Sequence, residues 1–144
     1  MGSRALIVIA AVVVLAWMPT AVVGQAAGGP PVIREPWRPL PCPMHPQSTV
    51  ETEGCLQQAV ISSDRRINTR VATIFRLIRI ASDRAAFVEG ETAWLRYRRR
   101  SCAATASAYR GGSAEPVAFL SCESDRNTRH LADLADTERV LRGR

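Results

Sequence analysis

Seven prolines fall between residues 30 and 46 (Pro30, Pro31, Pro36, Pro39, Pro41, Pro43 and Pro46), leaving only Pro19 and Pro116 in the rest of the 144-residue chain. Each proline fixes its own φ and removes a backbone donor, so no helix or central strand survives that density. Residues 27–46 are therefore expected to form an extended leader, with Cys42 able to tie it down. Beyond the leader, residues 47–144 carry apolar residues at helical rather than strand spacing.

Ser48 or Thr49 can cap a first helix with Glu51 and Glu53 in its first turn, where acids favour the helix dipole. Ile67, Val71, Ile74, Phe75 and Ile78 then form one apolar stripe. Gly54 weakens the early turns, so this helix is expected to begin loosely or to break there. The stretch "ASDR" marks the next boundary, with Ser82 or Asp83 as the cap. A second helix follows with Phe87, Trp94, Leu95 and Cys102 towards one side and Glu91 and Arg98 on the same stripe. Gly111 and Gly112 accept the left-handed conformation that ends a helix, and Ser113 can cap a third, with Glu115 and Pro116 in its first turn. Val117, Leu120, Leu131, Leu134 and Leu141 give that helix a heptad-like stripe, interrupted by Ser124 and Asn127. The expected fold is all-α: a small bundle of about three helices joined by short turns.

The N-terminus bears on the compartment. Arg4 precedes an apolar run of 13 residues, Ala5 to Trp17, which Pro19 and the small residues of "AVVGQAAGG" follow. That is the pattern of a secretory signal peptide, and the run is short of the roughly 20 residues a membrane span needs. Cleavage is expected between Gly24 and Ala27. A cut after Ala26 makes residues 1–26 the signal and leaves 118 residues with net charge +5 and no lysine. No membrane span then remains, and no cysteine at the junction offers a lipid anchor. Export to the periplasm or beyond argues against nucleic acid as a partner and leaves anionic lipids, glycans and other exported proteins.

An exported domain with four cysteines is expected to carry two disulfides. In an antiparallel hairpin turning at Gly111-Gly112, Cys102 and Cys122 come level, which favours Cys102–Cys122 and leaves Cys42–Cys55 to pin the leader. Each loop is worth roughly 2–4 kcal/mol in the chain-entropy account.

The most basic stretch, "WLRYRRRSC" at residues 94–102, divides under the same register. Arg98 shares the inward stripe of Trp94 and Cys102 and comes level with Asp64 across the turn near Ser82. An interhelical Asp64–Arg98 ion pair is expected, with Glu91 and Asn68 as further partners, because an unpaired buried charge is very costly. Arg96, Arg99 and Arg100 point outward and, with Arg110, form a candidate partner-binding face.

Asp64-x-x-Ile67-Asn68, then Glu91-x-x-Trp94-x-x-Tyr97-Arg98-x-x-x-Cys102, then Tyr109-x-Gly111-Gly112-Ser113 and Cys122, resembles the LprI-type domain of an exported lysozyme inhibitor and of many bacterial envelope proteins. The resemblance runs from about Cys42 to Leu134. It implies an exported helical domain that binds and blocks lysozyme, with no catalytic role. Relatives usually carry glutamine where Glu91 stands, an acid at Arg99, an aromatic at Val71 and an arginine where His130 falls.

Other chemistries fit less well. "CPMHP" places the soft ligands Cys42, Met44 and His45 together, but only Cys55 follows, too few for a closed metal site. His45 and His130 have no sequence context that activates a serine or cysteine nucleophile. Two readings follow, neither an enzyme and neither needing a metal or cofactor. One is a lysozyme-inhibiting binding protein. The other is an envelope module that docks an anionic surface or another exported protein through Arg96, Arg99, Arg100 and Arg110.

Overall fold

The structure, a computed structural model, describes residues 28–143. The expected signal segment, residues 1–26, lies outside the described residues. Three long helices follow the leader: α1 (Thr49–Leu77), α2 (Ala81–Ala106) and α3 (Ala114–Arg142), with a 3-10 turn at Ser107–Tyr109.

Local chemistry sets each boundary. Ser48 caps α1 in a reciprocal box: its hydroxyl accepts from Glu51 N at 3.2 Å, and Glu51 Oε2 accepts from Ser48 N at 3.1 Å and from Gln47 N at 2.7 Å. Those backbone donors hold the Glu51 carboxyl below its usual range. The expected cap at Ser82 or Asp83 is two or three residues late. Ile80, in the extended region, is the boundary residue, and Ser82 is already helical with its hydroxyl 3.4 Å from Asp83 Oδ1. The Arg84 guanidinium lies over the Phe75 ring and donates from Nε to the Ile78 carbonyl at 2.6 Å, which satisfies the chain at the corner. At the second corner only Gly111 is left-handed, with φ 77°. Ser113 occupies the cap position without a side-chain bond, and Glu115 reaches back to accept from Gly111 N at 2.8 Å.

The helices alternate in direction, and α3 packs against both α1 and α2. The leader runs antiparallel along α1. The Asn68 side chain exchanges two bonds with the Ile33 backbone (2.8 and 2.9 Å), and Leu40 N donates to Gln57 Oε1 at 2.8 Å. Disulfides join Cys42 to Cys55 and Cys102 to Cys122. Asn68 thus fastens the leader and is not a partner of Arg98.

Packing changes along the bundle. At the end holding the α1–α2 corner, Ile67, Val71, Ile74, Leu131 and Leu134 form the apolar core, flanked by Ile33, Ile78, Phe87, Trp94 and Leu141. A buried polar layer occupies the middle. The opposite end, where α1 begins and α2 turns into α3, carries both disulfides.

The expected weak start of α1 at Gly54 does not occur: the helix is continuous and Gly54 is buried. The leader lies directly on it, and a Cβ there would collide with the Pro41 carbonyl oxygen and meet Leu40 C at 3.1 Å. Gly54→Ala therefore sets a helix gain of about 1 kcal/mol against an overpacking cost of about 1–3 kcal/mol. The expected outcome is a lower denaturant midpoint with faster hydrogen exchange at the Leu40 amide.

Candidate functional site

The polar layer is built around Arg98, only 5% exposed. Its stripe on α2 is sparsely apolar, so the long side chain crosses the bundle and its guanidinium meets every other segment. Nη1 donates to Asp64 Oδ1 of α1 at 2.5 Å and to Asn127 Oδ1 of α3 at 2.8 Å. Nη2 donates to Glu35 Oε1 of the leader at 3.1 Å, and Nε lies 3.4 Å from Glu123 Oε1 of α3. Asn127, fully buried, uses its amide to donate to Ser63 Oγ and again to Asp64 Oδ1. The Trp94 ring lies 5.6 Å from the guanidinium carbon.

Asp64 and Arg98 are thus brought together, while Glu91 is not. Its carboxylate bonds His130 Nε2 at 2.9 Å, and the His130 ring stacks on Trp94 with centroids 3.7 Å apart. Glu91 and His130 therefore pair with each other across α2 and α3, apart from the Arg98 cluster. Glu35, Glu123, Asn127 and His130 were not anticipated. Asn127 and Glu123 had a signal, since both occupy the inward stripe of α3 that includes Leu120, Leu131 and Leu134. Glu35 had none, because an extended segment carries no helical period.

Three carboxylates surround one guanidinium, and protonation relieves the excess. Burial, a hydrogen bond to Asp64 and the charges of Glu123 and Asp64 outweigh Arg98 and push Glu35 up to about 7. Burial also raises Glu123, against the opposing pull of Arg98. Asp64 Oδ2 has no donor among the neighbouring N–H groups, and a hydrogen bond between the Glu35 and Asp64 carboxyls requires a proton on one of them. These shifts arise from packing among the chain's own groups and need no substrate to explain them.

The arginines expected to form one face lie in two places. Arg96, Arg99 and Arg100 are exposed along α2, while Arg110 is exposed on the turn between α2 and α3. Beside that turn lies a groove of about 510 Å³ whose floor includes Trp37, Ala106, Pro116, Phe119 and Leu120 and whose polar groups include Glu53, Arg110 and Glu115. Cys42 is consumed by its disulfide, and its neighbour Met44 projects into solvent, 91% exposed.

Replacing Arg98 with methionine is expected to cost about 3–5 kcal/mol, because Asp64 and Glu123 keep their burial and lose their counter-charge. The protonated Glu35 gives a second expectation. Between its ordinary value of 4.5 and about 7, the folded chain holds a proton that the unfolded chain has released. Stability is therefore greatest at the acid side of this window and falls as pH rises through about 7. Urea midpoints at pH 5 and pH 8 should show that fall. Glu35→Gln, which keeps a donor towards Asp64 at every pH, should flatten it.

Residues 42–134 match the family model described as Lysozyme inhibitor LprI. No curated protein and no solved structure is matched. The two disulfides and the family both point to an exported protein. The matched segment includes α1, α2, most of α3 and both disulfides, spans well over half of the chain, and shows that the chain belongs to the LprI family.

Proposed function

We propose that this chain is an exported lysozyme inhibitor that works as a stoichiometric binding protein in the periplasm or outside the cell, after residues 1–26 have directed its export. The observation that carries this reading is the family match over residues 42–134.

The architecture supports it. An inhibitor gains affinity by losing little freedom on binding. Here two disulfides, a capped first helix and a leader bonded along α1 fix the surface before any partner arrives. The buried charges are mutually engaged within the bundle, which suits a scaffold rather than a reaction centre. Disulfides also suit an oxidising compartment, where cell-wall hydrolases act.

The test is hydrolysis of cell-wall substrate by animal and bacterial lysozymes, titrated with the oxidised mature protein. Saturable inhibition approaching one inhibitor per enzyme is the expected result. Full enzyme activity at high molar excess, against both classes of lysozyme, would refute the proposal.

A further inference from the structure

The exposed arginines differ in what they can reach. A lysozyme acts through two carboxylates flanking the scissile bond, within a cleft shaped for a sugar chain. An α-helix with its side chains is about 10–12 Å across, so Arg96, Arg99 and Arg100 can lie along the rim but cannot be carried to the floor. A turn between two helices narrows at its tip to the connecting residues, here 110–113. We infer that the Tyr109–Gly112 turn is the inhibitory element, entering the substrate cleft and setting the Arg110 guanidinium against the catalytic carboxylates. This rests on the reading of the chain as a lysozyme inhibitor and names the surface that performs it.

The turn is built to hold its shape. Helix α2 tightens into the 3-10 segment Ser107–Tyr109, and Arg110 N donates to Ser107 O at 3.3 Å. Gly112 N donates to Tyr109 O at 2.9 Å, and left-handed Gly111 donates to Glu115 Oε2 at 2.8 Å. The Cys102–Cys122 disulfide locks the two helices behind it, with Cα atoms 5.4 Å apart. Tyr109 is 52% exposed and stands beside Arg110 at the tip. The side chains that would act are therefore presented on an ordered backbone.

Charge and shape around the tip fit the same partner. Glu51 and Glu53 begin α1 and Glu115 begins α3, so the acids that favour helix N-termini gather at the end that carries the exposed Arg110. An acidic surround with a basic tip complements an enzyme of the basic animal type, whose cleft floor is acidic. The apolar groove next to the turn, floored by Trp37 and Phe119, gives the lip of that cleft a seat. The flank of α2, by contrast, offers a basic enzyme three arginines.

The test compares oxidised wild-type protein with Arg110→Ala, Arg110→Glu and Arg99→Ala/Arg100→Ala, each first checked for native circular dichroism and thermal unfolding. Arg110 and both its replacements are solvent-exposed, so the fold is expected to persist. Arg110→Ala should raise the half-inhibitory concentration at least about tenfold and Arg110→Glu further. The paired Arg99/Arg100 variant should stay within about threefold of wild type, on the same scale. A chito-oligosaccharide occupying the cleft should compete with the wild-type inhibitor. If wild type inhibits and both Arg110 variants match it, or if the oligosaccharide does not compete, the turn is not the inhibitory element and the inhibitor reading survives. If wild type itself does not inhibit, both fall.

Discussion

The bundle depends on one guanidinium. Arg98 is the point at which the leader, α1, α2 and α3 all meet through charge or hydrogen bonds. Burying it costs solvation energy, and an apolar layer of the same volume could hold the helices at least as firmly. An apolar layer would tolerate sliding, however, whereas this one does not. Moving α2 by one turn would displace Arg98 by about 5.4 Å and strand Asp64, Glu123 and Asn127 together. The ion cluster is better understood as fixing register than as adding stability, and the position of everything at the bundle's ends follows from it.

Its three carboxylates also explain why the leader belongs to the fold. Glu35 brings a third carboxyl into a site that already holds two, and its raised pKa lets it keep its proton on the acid side of about pH 7. The leader has no secondary structure to offer, so it docks through side chains that meet backbone: Asn68 at Ile33, Gln57 and Gln58 at Leu40. Gly54 lets it approach α1 closely enough for the Cys42–Cys55 bond to close. A proline-rich segment that cannot form a helix thereby serves as a fourth wall, at little entropic cost because its prolines are already extended.

Helix number, turns and both disulfide pairings were legible in the sequence because each rests on a local period or on counting from a turn. The Asp64–Arg98 contact was legible for the same reason: two polar residues on inward stripes at matched height had to meet. The error at Glu91 came from assigning it to the nearest charge on its own helix, when His130 on α3 stood opposite. Asn127 was read as a gap in an apolar stripe, although a polar residue at such a position is how a bundle records a buried network. Glu35 and the role of Gly54 were not legible at all. Both depend on where an aperiodic segment crosses a helix, and nothing in spacing or composition encodes that crossing.

Layering gives the two ends of a basic protein different surfaces. The larger apolar cluster lies at one end and the polar register in the middle, while the far end combines a few buried apolar residues (Val60, Ala106, Leu120) with both disulfides and keeps an open groove. Net charge governs approach only at long range, and at physiological ionic strength charges beyond about 8 Å are largely screened. Arg96 lies ten residues before the end of α2 and Arg100 six, roughly 15 and 9 Å of helix, so both lie beyond that distance and Arg96 contributes least to the field at the turn. What a partner meets there is local: Arg110 among Glu53 and Glu115. The overall positive charge of the chain is thus a property of its flanks, and the end fixed by both disulfides has its own electrostatics.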